Sequence, residues 1–201
     1  MNINELYSLW CEKAVDDPDL KQELISVADD SEGINDRFYR NLEFGTGGLR
    51  GVIGAGTNRM NIYTVRRATQ GFADYINEAF DKPSVAIAYD SRIKSDVFAK
   101  AAAGVFAANG IHVYIYGELM PTPMLSFAVR ELNCQAGVMV TASHNPSKYN
   151  GYKAYGADGC QLNLTDAETV IKKVNALDMF DGVKHIKFDD AVESGLSLIH
   201  I

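Results

Sequence analysis

The sequence predicts a layered α/β domain with a largely parallel sheet. Three observations carry that prediction. Short apolar runs recur at Val85–Tyr89, Ile111–Tyr116 and Ala136–Thr141. The segments between them, Ser95–Asn109 and Pro121–Leu132, have helical patterning. The 201-residue chain is 47% hydrophobic and 22% charged, which suits one real core and excludes disorder, collagen-like repeats or coiled coil as a description of the whole.

Before this alternation, residues 1–40 read as a helical extension. Leu6, Leu9, Trp10 and Ala14 lie near one helical face, Leu20, Leu24, Ile25 and Ala28 form a second stripe, and Asp17-Pro18 marks a helix start between them. At Phe44 the texture changes to FGTGGLRGVIGAG, with six glycines in residues 45–56, so a loop is expected there with room for a strand at Leu49–Ile53. Thr64–Phe80 reads as a helix. Ser95 is expected to cap the helix it opens and Gly110 to end it. Tyr152–Tyr155 suits an edge strand returning antiparallel, and Leu164–Ala176 a further helix. The last stretch, 191–201, where apolar residues resume in GLSLIHI, is expected to begin a linker to a second domain.

The net charge of −7 is unevenly placed: residues 1–40 hold four Lys/Arg and ten Asp/Glu, and the remainder is almost neutral. Neither part has the basic field of a nucleic-acid binder, so no nucleic-acid partner is expected, while a few converging cations leave room for an anionic small substrate. The richest apolar patch, Ala101–Ala108, is far short of the ~20 residues that span a bilayer, and no membrane partner is expected. The N-terminus lacks a basic start and a cleavage-like run. Three cysteines, Cys11, Cys134 and Cys160, without C-x-x-C or a Cys/His cluster, argue against a disulfide framework or structural zinc and fit the cytoplasm.

Generic nucleotide and hydrolase signatures are absent: no Walker G-x-x-x-x-G-K-[ST], no completed G-x-G-x-x-G, no G-x-S-x-G and no H-E-x-x-H. Chemistry concentrates instead at loops, and in open α/β sheets ligands sit beyond the carboxyl ends of strands. The strand Ala136–Thr141 runs into Ala142-Ser143-His144-Asn145-Pro146, which presents Ser143 on a turn beside an imidazole and an amide. A serine hydroxyl needs a base or a charged phosphate partner to act. Lys153, in Asn150-Gly-Tyr-Lys153, returns toward the same loop mouth and can hold a phosphate or move a proton. Phe44-Gly-Thr-Gly-Gly-Leu-Arg-Gly51 offers backbone N–H groups and Arg50 to an anion, with Thr46 and Gly47 beside them. Tyr89-Asp-Ser-Arg92 adds a carboxylate and a cation at another strand end. Each feature has a plainer reading: ordinary turn residues, an exposed strand lysine, a glycine-rich hairpin, an Asp–Arg pair. A serine hydrolase on Ser143 and His144 is disfavoured, since adjacent side chains on a turn diverge and no acid is evidently placed to orient the imidazole.

Thr141-Ala-Ser-His-Asn-Pro146 resembles the phosphoserine loop of the α-D-phosphohexomutases, the phosphoglucomutase/phosphomannomutase superfamily. Phe44–Gly51, Tyr89–Arg92 and Asn150–Lys153 fall in the order and spacing of that family's first domain. The resemblance covers roughly residues 40–190 and implies a three-layer α/β/α sandwich with a mixed, mostly parallel sheet after the helical extension. It sets the phosphoserine domain at residues 41–190. It implies that Ser143 carries a phosphoryl group and exchanges it with a hexose phosphate (glucose or mannose 1- or 6-phosphate) through a bisphosphorylated sugar that is also the activator. Arg50, Lys153 and His144 would be catalytic. Thr46, Gly47, Arg50, Arg92, Asn145 and Lys153 would bind phosphate, and Ser143 through its phosphate would give Mg²⁺ one ligand. The family's metal loop, Asp-Gly-Asp-x-Asp-Arg, and its sugar-specificity and distal phosphate loops have no counterpart here. The remaining Mg²⁺ ligands are therefore expected in further domains of the same chain, and the fragment is expected to be inactive alone. A non-catalytic sugar-phosphate-binding or interaction module on the same fold is the alternative.

Overall fold

The computed structural model describes residues 1–198. Three short helices come first, α1 (Ile3–Lys13), α2 (Pro18–Ser26) and α3 (Ser31–Phe38), followed by β1 (Gly48–Val52) and α4 (Ile62–Ala79). The alternation expected from the sequence then appears as β2 (Ser84–Tyr89), α5 (Ser95–Ala108), β3 (His112–Ile115), α6 (Thr122–Glu131) and β4 (Ala136–Val140). The chain continues through β5 (Tyr149–Gly156), α7 (Leu164–Ala176), α8 (Phe188–Glu193) and β6 (Ser197–Leu198).

The six strands form one mixed sheet in the order β1-β5-β4-β2-β3-β6. The pairs β4–β2, β2–β3 and β3–β6 are parallel, and β5 is antiparallel to both β4 and β1. The central strands are apolar on both faces, as a sheet covered by helices requires. On one face Val85, Ile87, Val138, Val140, Tyr152 and Ala154 pack with side chains of α4, α5, α7 and the N-terminal helices. On the other, Ala86, Ala88, Met139 and Tyr155 meet Leu125, Ala128 and Val129 of α6. The architecture is a three-layer α/β/α sandwich, heavily covered on the first face. Phe72, Phe98 and Phe106 are 0% exposed, and burial of each contributes about 1.5–3 kcal/mol.

Four details differ from the sequence reading. The strand expected at the edge over Tyr152–Tyr155 is longer and lies second from the edge, because the glycine-rich segment folds back as β1 and pairs outside it, Arg50 opposite Gly151. Gly48, at φ 140°, permits this approach: a Cβ there would sit 1.7 Å from the Tyr152 carbonyl oxygen. Ser95 does not cap α5. The cap is Lys94, in left-handed backbone with no side-chain cap bond, and the buried Ser95 hydroxyl donates to Asp90 at 3.0 Å instead. Helix α4 starts earlier than Thr64, at a capping box between Asn61 and Thr64. Finally, the expected linker start at 191 falls inside α8, and residues 197–198 add a strand parallel to β3. Residues 199–201 of that expectation lie outside the described residues.

The N-terminal helices share the main core. Trp10 is fully buried and meets Phe38, Tyr63 and Phe180 edge-on at centroid distances of 5.8, 5.6 and 5.3 Å. Polar ties add to this packing. Glu23 of α2 accepts from the Ala55 amide at 2.8 Å and pairs with Arg37, so the extension braces the glycine-rich loop. Lys94 reaches Asp17 and Asp19, each at 2.9 Å.

Candidate active site

The adjacent parallel strands β2 and β4 release their C-terminal loops side by side, and the Asp90 amide donates to the Val140 carbonyl at 3.2 Å. This juxtaposition brings Tyr89–Arg92 against Thr141–Pro146. The Asp90 carboxylate lies at the base of the second loop. It accepts from the Thr141 hydroxyl at 2.6 Å, the Ser95 hydroxyl at 3.0 Å and the Arg92 amide at 3.1 Å. Thr141 in turn accepts from the Ser143 amide at 3.0 Å. Asn150, fully buried on β5, donates to Ser95 Oγ at 3.0 Å and to the Ile93 carbonyl at 3.0 Å.

Ser143 itself is exposed and adopts φ 55°, a left-handed conformation uncommon for a residue with a Cβ. Its hydroxyl faces His144 Nδ1 at 3.4 Å, at the long end of hydrogen bonding. Among the described residues no carboxylate bonds to the His144 ring, so the geometry offers no Ser-His-acid triad. Asn145 is half-buried and its side-chain oxygen accepts from Arg50 Nη1 at 3.0 Å. That bond joins β1 to the serine loop.

Arg50 and Lys153 project from the same sheet face, two residues apart in β1–β5 register, since Gly48 pairs with Lys153 and Arg50 with Gly151. Thr46, Gly47, Arg50 and Lys153 line one cleft, together with Gln161. Burial pulls Lys153 below the ordinary lysine range, the Arg50 charge pushes the same way, and Asp90 opposes both. A second concavity, lined by Asp90, Ser91, Arg92, Ser143, Asn145 and Ser147, adjoins it through Asn145. The expected groups Arg50, Lys153, Thr46 and Gly47 are thus gathered in the first hollow, and Ser143 and Asn145 in the second.

Arg92 departs from expectation. Its guanidinium does not point free toward a ligand. It donates to four backbone carbonyls of the serine loop, those of Ser143, Asn145, Pro146 and Tyr149. Sequence reading also missed Ser95, Thr141, Asn150 and Gln161. Thr141 had a signal, its position two residues before the serine, and Asn150 opens the Asn150–Lys153 string; buried Ser95 and exposed Gln161 are brought to the site by the fold, which no local pattern reveals.

The described residues do not by themselves make a magnesium site. No group of three or more His, Cys, Asp or Glu side chains among the described residues can hold a metal, and the Asp90 carboxylate is already taken by hydroxyl and amide donors.

Residues 41–180 match the family model described as phosphoglucomutase/phosphomannomutase, alpha/beta/alpha domain I. The chain belongs to this family. It is 46% identical over 140 residues to a phosphoglucomutase of Staphylococcus haemolyticus (strain JCSC1435), covering 70% of this chain and 26% of that protein. To a phosphoglucomutase of Staphylococcus epidermidis it is 43% identical over 169 residues, covering 84% of this chain and 30% of the other. A Thermus thermophilus structure provisionally described as a phosphomannomutase superposes with a TM-score of 0.65 at 32% identity, over 73% of this chain and 32% of that one. The chain therefore spans less than a third of the length of the curated relatives it matches. Within the phosphoglucomutase/phosphomannomutase domain, the match ends at 180, so the helical extension before residue 41 and the α8–β6 segment lie outside the matched part. Among the described residues no helix is long and apolar enough to cross a membrane.

Proposed function

We propose that this chain is the phosphoserine domain of a cytoplasmic phosphohexomutase. In this reading Ser143 carries a phosphoryl group in the resting state and passes it to a free hydroxyl of a hexose 1- or 6-phosphate. The Oγ–phosphorus bond breaks as the sugar oxygen–phosphorus bond forms, and the hydroxyl proton leaves to a basic side chain. The bisphosphorylated sugar reorients and returns its other phosphate to Ser143. Lys153 suits the proton transfer, because a lysine held below its ordinary range is more readily neutral. Arg50, fixed by Asn145 at the mouth of the loop, suits the equatorial oxygens of the transferring group. Thr46 and the Gly47 backbone border the cleft where a sugar phosphate would rest. His144, beside Ser143 Oγ, is placed to assist the proton.

The observation that carries this reading is the exposed Ser143 hydroxyl at the end of β4, in strained backbone, joined through Asn145 to Arg50. The test substitutes this chain for the matching segment of the S. haemolyticus phosphoglucomutase and follows glucose 1-phosphate in a coupled assay. The expected result is turnover that Ser143→Ala lowers by about 10³-fold or more with the fold intact by circular dichroism. A chimera that binds glucose 1-phosphate and turns none over, with Ser143 present, supports a sugar-phosphate-binding module instead. The 201-residue chain alone, which spans less than a third of the length of these relatives, is expected to show negligible turnover.

A further inference from the structure

Residues 143–148 form an irregular loop that leads into β5 at Tyr149. Three carbonyls of this loop and that of Tyr149 converge on one side chain. Arg92 Nη2 donates to the carbonyls of Ser143 and Asn145 at 2.5 and 2.7 Å, and Nη1 to those of Pro146 and Tyr149 at 3.2 and 3.1 Å. The remaining donor, Nε, lies 3.8 Å from Asp90 Oδ2, and the side chain is only 15% exposed. A guanidinium has five N–H groups in a planar fork; here both terminal nitrogens are engaged by carbonyls, and only Nε, on the Asp90 side, makes no hydrogen bond. Asp90 fixes the other side of the same loop through Thr141, which accepts from the Ser143 amide.

We propose that Arg92 is a positioning residue that locks Ser143 in its left-handed turn, and is not a phosphate ligand. The physical need is clear. A left-handed serine reverts to commoner backbone unless its surroundings over-determine it. Arg92 grips the carbonyl of Ser143 itself and of three residues after it, while the Asp90–Thr141 pair holds the Ser143 amide. The two holds together fix the peptide units on both sides of the Cα, and so the direction of the Cβ–Oγ bond. Charge-assisted bonds suit the task, being stronger than neutral ones. Lysine cannot replace Arg92, because a compact ammonium has three donors and cannot span four carbonyls. Only the purpose of the lock rests on Ser143 being the phosphoryl carrier; the lock itself is a matter of backbone geometry.

The experiment has a readout in the unmodified 201-residue chain and two variants. In ¹⁵N NMR of the arginine side chains, the Arg92 Nη signals are expected to be resolved, slowed by their four carbonyl partners. They are expected to stay in place on addition of inorganic phosphate, while Arg50 signals move. In Arg92→Lys and Arg92→Met alike, the Asn145 and Tyr149 amides are expected to exchange about tenfold faster or more, with β2 and β4 amides unchanged. In the active chimera both variants are expected to lower kcat by about 10–100-fold and leave KM within about threefold, the pattern of a displaced reacting group. Averaged Arg92 Nη signals, their displacement by phosphate, or wild-type loop protection in Arg92→Lys would each overturn the proposal. If Ser143→Ala leaves the chimera active, the phosphoserine reading fails, yet the signal and exchange results still decide whether Arg92 is a lock.

Discussion

Arg50 Nη1 donates to the side-chain oxygen of Asn145 at 3.0 Å, across 95 positions of sequence. The bond ties the outermost strand on one edge of the sheet to the loop that carries Ser143. Both partners lie at the surface or near it, so its value to folding is small, and its value is geometric. Asn145→Ala is expected to change stability to urea by about 0.5–1 kcal/mol or less. Arg50→Ala is expected to weaken inorganic phosphate binding by about tenfold, measured by NMR titration, with a similarly small change in stability. Equal phosphate affinity in the Arg50 variant would remove that residue from the site.

Lys153 gives a pH prediction. Burial and Arg50 place its folded pKa below that of the unfolded chain. Between the two values the unfolded state binds more protons, so this group makes stability rise with pH through that window. Below it, at neutral pH, the charged form is penalised in the fold. Lys153→Met is therefore expected to be no less stable at neutral pH and to lose the rise in the alkaline range, while phosphate binding drops. A ¹³C titration of the lysine side chain is the direct check. Adding phosphate is expected to raise the Lys153 pKa, and Arg50→Gln to raise it in the free chain.

Gly151 supplies a steric prediction. A Cβ at this position would lie 2.7 Å from the Thr141 carbonyl oxygen and 2.9 Å from that of Leu49, both backbone atoms that cannot swing aside. Gly151→Ala is expected to cost about 2 kcal/mol or more and to displace the strand end that feeds Ser143. Denaturant unfolding measures the first effect and amide shifts at residues 141–145 the second. A substitution within about 0.5 kcal/mol of the parent would show that β1 and β4 do not close on β5 as described.

The extension provides a fourth prediction. Trp10 is 0% exposed and its ring lies edge-on to three aromatic neighbours, including Tyr63 of α4 and Phe180 near the far end of the chain. Trp10→Ala is expected to cost about 3–5 kcal/mol. Deleting residues 1–40 is expected to leave a poorly folded remainder, because it strips Trp10, Leu24 and Phe38 from the shared core. Wild-type melting in the truncated chain would show that residues 1–40 do not contribute to the core.

These residues also show where sequence reading reached its limit. The alternation β2–α5–β3–α6–β4 was legible because each strand buries both faces and each helix buries one stripe, and those patterns are local. The candidate serine was legible in a distinctive string just past the end of β4, and the lysine in one that lies within β5. The placement of β1 outside β5 was not, since a glycine-rich strand has few side chains to declare its pairing, and Gly48 matters through the Tyr152 carbonyl it avoids. Ser95 read as a cap on local grounds, but its hydroxyl is buried against Asp90 and Asn150, and tertiary partners won. Arg92 read as a phosphate cation for the same reason: charge is visible in a sequence, and the four carbonyls that engage it are not. Lys94 precedes α5 in a left-handed backbone, and its ammonium reaches Asp17 and Asp19 far away in the sequence, neither of which a local pattern shows.

Phosphoryl carriage by the Ser143 hydroxyl underlies the proposed function, and mass reports it without an intermediary. The experiment is intact-mass measurement of the active chimera after exposure to glucose 1,6-bisphosphate, followed by peptide mapping. The expected outcome is a gain of ~80 Da located on Ser143, bringing a charge of about −1.5 to −2 to the loop, lost on incubation with glucose 1-phosphate and absent from Ser143→Ala. A chimera that turns substrate over while the peptide containing Ser143 never gains that mass would show that the hydroxyl carries no phosphate.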